Sequence, residues 1–231
     1  RITDDTDGGR LVEEWTTAVV GGAVLPHAVD ASKLRAGHTY TLTELTAPDG
    51  YTRAEQVQFQ IAADGTVTRV GTAGSVSGTT VTMTDDHTRI SLQKTGVGGA
   101  ALSGAGFSLY HSDASGATGA QIGSEGLTFD KLVPNQYYKL VETTVPAGYV
   151  AMEPLAFRFL YNQSTGATSL TYAARTDIAV TAANGQATVT VNDAPTTVSV
   201  RKVNENGDAL AGAVLSIHAD NAGSVGAEIA G

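Results

Sequence analysis

Cysteine is absent from all 231 residues of the chain. Disulfide bonds and thiolate metal sites are therefore excluded. Small secreted β-domains commonly use disulfides to compensate for their small cores. A chain of small domains without cysteine needs another way to hold its strands together, so polar side chains that point into a core are of particular interest.

Positive charge is also scarce, since 14 Lys and Arg stand against 23 Asp and Glu, for a net charge of −9. This balance argues against nucleic acid or an anionic membrane as a partner. The longest apolar run, 18–29, is interrupted by Gly21, Gly22, Pro26 and His27. It is too short and too broken to span a bilayer, so we expect no membrane insertion.

Motifs for common enzymes are missing as well. The sequence has no zinc motif, no phosphate-binding loop and no Ser–His–Asp pattern, and its five histidines are scattered. We therefore expect no cofactor, no metal and no turnover enzyme. No signal peptide or sorting tail is visible, and both ends of the sequence are typical of a segment cut from a longer chain.

Glycine is abundant, with 27 residues, and a long internal repeat is present. The stretch 138–149 repeats the stretch 40–51, 98 positions earlier, with the same Tyr, Leu, Glu, Pro, Gly and Tyr. Sustained helical periodicity is rare, while short alternating segments rich in Val and Thr are common. Together these features predict an all-β chain of tandem repeated domains built from short strands.

A second repeat fixes the domain boundaries that we expect. The segment 90–94 recurs as 198–202, 108 positions later. We predict a first domain at 1–88 that lacks its N-terminal strand, a complete domain at 89–195, and the beginning of a third domain at 196–231. The second domain has ten more residues than the first between its repeated Glu and its final Asp, and we expect an enlarged hairpin or loop between Leu160 and Gln186.

Three ionisable side chains of the second domain are in phase with core residues. Glu142 alternates with Tyr138 and Leu140, and a strand places such residues on one face. By the same alternation, Lys94 shares a face with Ile90 and Leu92, and Asp193 with Val189 and Val191. We therefore expect an amine and two carboxyls inside the core.

The chemistry of this cluster follows from burial. An apolar interior favours the neutral forms of amines and carboxyls, and a neutral amine is a nucleophile. Lys94 can then condense with the Asp193 carboxyl to an amide, while Glu142 stabilises the oxyanion and moves protons. Two alternatives remain at this point: a β-bulge that selects Asn192 in place of Asp193, and a hydrogen-bonded cluster that never reacts.

The spacing of these residues resembles the Cna-B or SpaA-like domain of Gram-positive pilins and surface adhesins. The resemblance rests on Lys94 in a first strand, on the pattern Leu102-x-Gly-Ala-x-Phe-x-Leu-Tyr110, and on Glu142-x-x-x-Pro-x-Gly-Tyr149. It implies a prealbumin-like β-sandwich and a spontaneous isopeptide bond from Lys to Asp or Asn, promoted by Glu. Carried over by position, these roles fall on Lys94, Asp193 and Glu142.

The first and third repeats carry incomplete sets of the same residues. The first has Glu44 and Asp85, and the third has Lys202. Either neighbouring sequence completes each set, or Lys202 of one molecule joins Asp85 of the next in a head-to-tail array.

The resemblance also implies a role and a location. It implies a structural stalk in a surface pilus or adhesin, outside the cell and anchored to the cell wall, whose partners are neighbouring domains or subunits of the same fibre. The alternative is a module that binds a host protein or glycan through the enlarged loop, where Tyr161, Tyr172 and Arg175 lie.

Overall fold

The computed structural model describes residues 1–229. Arg1–Pro195 forms one compact unit, and a second begins at Thr196. The described residues form short β-strands and two single-turn 3₁₀ segments, at Ala31–Lys33 and Val97–Gly99. No helix among them is long and apolar enough to cross a membrane.

The first part of the large unit contains nine strands. They are β1 (Ile2–Asp4), β2 (Arg10–Glu13), β3 (Val19–Val20), β4 (Ala23–Val24), β5 (Thr39–Leu42), β6 (Val57–Ile61), β7 (Val67–Val70), β8 (Ser75–Ser77) and β9 (Thr80–Thr82). Five of them form an antiparallel sheet in the order β2-β1-β5-β6-β7, and β3-β4 and β8-β9 are separate hairpins. Ile2, Val12, Tyr40 and Phe59 form the buried core.

The second part contains nine further strands and a larger core. They are β10 (Arg89–Thr95), β11 (Gly106–Ser112), β12 (Thr118–Gly126), β13 (Thr128–Asp130), β14 (Tyr137–Thr144), β15 (Leu155–Tyr161), β16 (Thr168–Tyr172), β17 (Ile178–Ala183) and β18 (Gln186–Asn192). One sheet has the order β12-β11-β14-β15-β16 and the other the order β13-β10-β18-β17. Residues from both sheets fill the core between them, as in a β-sandwich.

The first and last strands of this sandwich are neighbours. β10 and β18 pair in parallel without a register shift, and Lys94 lies opposite Val191. The ladder continues past the end of β18, because the Asp193 amide donates to the Thr95 carbonyl at 2.8 Å. No β-bulge interrupts this pair, so the alternation of inward and outward side chains holds as far as Asp193.

The two sandwiches share one topology. The sheet order β2-β1-β5-β6-β7 matches β12-β11-β14-β15-β16, and β8-β9 matches β17-β18. Among residues 1–88, no strand occupies the place that β10 holds in the second sandwich. Tandem β-sandwiches therefore agree with the predicted fold class.

Of the enlarged hairpin or loop expected between Leu160 and Gln186, the structure has enlarged hairpins, β15–β16 and β17–β18. The extra residues lengthen strands, since β15 to β18 have 7, 5, 6 and 7 residues. Their counterparts β6 to β9 have 5, 4, 3 and 3. The ten extra residues therefore extend the cross-strand ladders and do not form a longer connection.

The smaller unit repeats the start of the second sandwich. The Leu210 amide donates to the Lys202 carbonyl at 3.1 Å, as the Leu102 amide donates to the Lys94 carbonyl at 2.9 Å. One antiparallel hairpin follows, β19 (His218–Asn221) with β20 (Ser224–Glu228). Residues 230 and 231 of the predicted third domain lie outside the described residues.

Candidate functional site

The site lies in the core of the second sandwich, where its two sheets face each other. Lys94 comes from β10 and Asp193 follows β18, so both belong to one sheet. Glu142 comes from β14 in the opposite sheet. Their side chains are 2%, 1% and 0% exposed, respectively, so the site excludes solvent.

Lys94 is held between the two carboxyls. Its Nζ donates a hydrogen bond to Asp193 Oδ1, and lies 2.8 Å from Glu142 Oε1. The aromatic ring of Phe107 lies beside the amine, with 5.3 Å from Nζ to the ring centroid. The amine therefore lies against one carboxyl, faces a second, and is covered by an apolar ring.

Backbone contacts fix the orientation of Glu142. Its Oε2 accepts a hydrogen bond from the Met152 amide at 2.9 Å, which leaves Oε1 directed at Lys94. Glu142 Oε1 is paired with Lys94 by charge, whereas Asp193 Oδ2 is buried without a hydrogen-bond partner among the described residues. Burying an unpaired polar atom is costly, so Asp193 Oδ2 carries a desolvation penalty in this arrangement.

Asn192 is excluded from this site by its direction. Its side chain is exposed, and its Oδ1 accepts a hydrogen bond from the Thr95 hydroxyl at 3.2 Å on the outer face. The bulge that would have turned it inward is absent. The alternation of side chains thus places Asp193, rather than Asn192, beside Lys94.

In a comparison with known protein families, the SpaA prealbumin-like fold domain matches residues 2–74 and 88–176. The chain belongs to this family. No curated protein matches the sequence.

Solved structures that this chain resembles at low overall similarity include pilus proteins of Lactobacillus rhamnosus GG. A C-terminal fragment of the pilus adhesin SpaC is 18% identical, with a TM-score of 0.38, over 86% of this chain and 89% of the fragment. The SpaC adhesin in its open conformation is 19% identical, with a TM-score of 0.38, over 71% of this chain. The chain spans 25% of the length of that adhesin. The shaft pilin SpaA is 18% identical, with a TM-score of 0.29, over 77% of this chain and 73% of the pilin.

The first SpaA-like domain contains the two carboxyls of the site without the amine. The Ala54 amide donates to Glu44 Oε2 at 2.9 Å, just as Met152 donates to Glu142. Partial burial, together with the adjacent Glu44 carboxyl, raises the pKa of Asp85 to about 6. Like charges so close together disfavour double ionisation, so the pair tends to hold a proton.

Lys202, the predicted amine of the third repeat, lies in the smaller unit and is exposed. The structure therefore brings together the predicted site residues of the second domain and the two carboxyls of the first. The backbone at Lys202 makes the same local hydrogen bond as that at Lys94, but its side chain is solvent-accessible.

The side chains assigned to a binding surface lie elsewhere than expected. Tyr161 is buried at the end of β15, and Arg175 forms an ion pair with Asp177. The Arg175 guanidinium also donates to the Glu153 carbonyl at 2.6 Å. These contacts brace the connection between the two sheets and leave no enlarged loop that carries the three predicted residues.

A buried carboxylate in the first domain was missed from the sequence. Asp4 is fully buried, and His38 Nδ1 lies 3.0 and 2.9 Å from its two oxygens. The Asp7 amide donates to it at 3.1 Å, and Arg10 approaches at 3.4 Å. Burial alone would raise the pKa of Asp4, but the hydrogen bonds from His38, Asp7 and Arg10 outweigh it and hold that pKa below its usual range. Asp4 alternates with Ile2, which was the available signal.

Proposed function

We propose that Lys94 and Asp193 form an intramolecular amide, promoted by Glu142, in a single turnover. One observation carries the proposal: the Lys94 amine contacts the Asp193 carboxyl inside a solvent-free core and faces Glu142. Reacting groups held in contact lose little further translational and rotational freedom on the way to the transition state, which removes a large part of the barrier.

The reaction balances without any co-reactant. The neutral Lys94 Nζ attacks Cγ of the protonated Asp193 carboxyl, and a new N–C bond forms. Glu142 takes a proton from Nζ in the tetrahedral intermediate and returns it to the departing hydroxyl, so that a C–O bond breaks and one water leaves. The product N–H then donates to Glu142, and the condensation removes one carboxyl oxygen from a site in which Asp193 Oδ2 has no partner.

The role that fits such a bond is structural. We assign the chain to the stalk of a pilus or adhesin on the outer surface of a Gram-positive cell, anchored to the cell wall, with neighbouring domains or subunits as its partners. Membership of the SpaA-like family and the tandem arrangement of two sandwiches support this role. Binding of a host protein or glycan stays a prediction. The enlarged loop to which it was assigned is not present among the described residues.

The proposal extends to the first domain, where the amine that bonds to Asp85 would come from a strand outside residues 1–88. Glu44 and Asp85 lie at the positions of Glu142 and Asp193, and only the amine-bearing strand is missing among the described residues. Any strand with the pattern of β10 is suited to that position, and the segment 198–202 has this pattern. Either adjoining sequence or Lys202 of a second molecule supplies the amine.

Intact mass spectrometry tests the second-domain bond. The protein should weigh one water less than its sequence mass, and digestion should yield a peptide pair joined through Lys94 and Asp193. Glu142→Ala should restore the full mass, whereas Glu153→Ala, at an exposed glutamate of the same domain, should not. An unshifted parent mass without a joined peptide pair would refute the proposal.

Denaturing electrophoresis of the purified chain tests the bond to Asp85. A ladder of covalent oligomers that Lys202→Ala abolishes would support exchange between molecules. A single monomer band would eliminate covalent exchange and leave adjoining sequence as the source of the amine.

A further inference from the structure

The turn that follows the Glu strand of the first domain contacts the second domain. Gln163, in the turn between β15 and β16, uses both atoms of its amide on the backbone of Ala47. Its Oε1 accepts from the Ala47 amide at 2.9 Å, and its Nε2 donates to the Ala47 carbonyl at 3.0 Å. Ala47 is buried at this contact. The side chain of Gln163 thus pairs with the backbone of Ala47 as a neighbouring strand would.

A second contact holds the other end of the same segment. The Arg53 amide donates to the Tyr161 hydroxyl at 3.1 Å, and the Arg53 guanidinium approaches the Ser164 carbonyl at 3.4 Å. Tyr161 itself is anchored in the core of the second domain. The segment 47–53 is therefore fixed at both ends by one hairpin turn.

Two glycines allow the domains to approach this closely. Gly50 has a φ of +83°, and a Cβ there would lie 3.1 Å from the Cα of Lys131. From the other side, Gly185 has a φ of +76°, and a Cβ there would lie 2.4 Å from the Thr52 methyl group. A side chain at either position meets both a steric and a conformational penalty, so the fit depends on glycine in both domains.

The clamped segment also positions Glu44. Its Oε2 is held by the Ala54 amide, one residue beyond Arg53. Glu44 and Ala54 are thus the two ends of a loop whose middle is fixed by the second domain. If that loop loosens, the amide that orients Glu44 toward Asp85 loosens with it.

We propose that the segment 45–54 is a docking surface for the next SpaA-like domain in the chain, and that Gln163 and Tyr161 are positioning residues for Glu44. The partner that fits presents a side-chain amide to backbone groups from one hairpin turn, as Gln163 does, and a small residue to the Thr52 methyl from another, as Gly185 does. The docking contacts stand on their own geometry, whereas the value of orienting Glu44 rests on the proposed function.

The same surface recurs in the second domain. Gly148 has a φ of +83°, equal to that of Gly50, and the Tyr149 amide donates to the Pro146 carbonyl at 3.2 Å, as Tyr51 does to Pro48 at 3.1 Å. The repeated sequence therefore gives this turn the same backbone conformation in both domains. A domain of the same fold finds the same backbone groups at 146–150.

Amide hydrogen exchange measured by NMR on the full chain tests the docking. Gln163→Ala should speed exchange at the Ala47 amide about three- to tenfold, the effect of losing one hydrogen bond. Tyr161→Phe removes only the acceptor of the Arg53 amide and should speed exchange there by a similar factor. Gln121→Ala, at an exposed glutamine on the edge strand β12, should change neither.

If Gln163 and Tyr161 orient Glu44, their removal should change properties of Glu44 and its neighbours and not only the docking contacts. In the Gln163→Ala/Tyr161→Phe double variant, exchange at the Ala54 amide should rise, and the pKa of Asp85 should fall from about 6 toward its ordinary value. Both follow if Glu44 leaves its orientation beside Asp85. Carboxyl chemical shifts recorded through the pH range report that pKa.

The outcomes distinguish the docking of segment 45–54 from the positioning of Glu44. Unchanged exchange at Ala47 in Gln163→Ala would overturn the docking, and an unchanged Asp85 titration in the double variant would overturn the positioning. The loss of one water in the second domain is measured on the same samples. Its absence would refute the proposed function while leaving the exchange results to decide the docking.

Discussion

Replacing Lys94 with Ala should prevent the proposed amide between the first and last strands of the second domain. The bond joins positions 99 residues apart. The chain-entropy model gives a cross-link across such a loop about 4.7 kcal/mol of stabilisation, because it restricts the unfolded state. A domain of about 107 residues unfolds with an entropy of roughly 0.22 kcal/mol/K, so the melting temperature should fall by about 20 °C.

Differential scanning calorimetry of the parent and four variants measures this effect. Lys94→Ala, Asp193→Ala and the double variant should melt at nearly the same temperature, because each removes the same bond. A modest extra loss in Lys94→Ala is expected, since Asp193 and Glu142 stay buried without their amine. Lys139→Ala, at a half-buried lysine that donates to the Gly116 carbonyl at 3.1 Å, is the matched control and should shift the transition by a few degrees at most.

Two results would refute the reasoning. The first is a parent that melts within about 3 °C of Lys94→Ala, because a cross-link over this loop should be worth several times more. The second is additive losses from Lys94→Ala and Asp193→Ala, since additivity means that the two side chains act independently.

Three further predictions concern the carboxyls. Asp193→Asn should still form the amide with Lys94 but lose ammonia instead of water, and an unshifted mass would show that the carboxyl cannot be replaced. The first domain should lose stability as pH rises from about 4 through 6, because its folded state holds the Asp85 proton more tightly than the unfolded chain does; Asp85→Asn should flatten this dependence in thermal melts. Asp4 has a lowered pKa, so its contribution is complete above about pH 4 and is lost as pH falls further. Asp4→Asn should cost the first domain about 2–3 kcal/mol in denaturant unfolding at pH 7, whereas an unchanged midpoint would mean that the His38 contact is not stabilising.

Side-chain alternation was enough to predict which residues face the core. Lys94, Glu142 and Asp193 each share parity with buried apolar neighbours, and all three are buried as expected. Alternation depends only on the two-residue period of a strand, which is local. The assignment of Asp193 over Asn192 follows from the same period, because β10 and β18 pair without a bulge.

Alternation does not say which sheet a strand joins. Glu142 faces Lys94 from the opposite sheet, an arrangement set by the long-range pairing of β14 with β11 and β15. The contact between Gln163 and Ala47 could not be predicted from the sequence either, since a single polar residue in a turn carries no periodic signal. For the segment between Leu160 and Gln186, the residue count left hairpin and loop open, and only the strand pairing of β15 with β16 and of β17 with β18 distinguishes them.

The parallel pairing of β10 with β18 decides how a pulling force would pass through the second domain. Tension applied to the chain enters at Arg89 and leaves beyond Asp193, at opposite ends of two strands that lie side by side. With an amide between Lys94 and Asp193, the load runs along β10, crosses that bond and leaves directly. The roughly one hundred residues between them would carry no tension, so a stalk of such domains would stretch by bond deformation while its sandwiches stay folded.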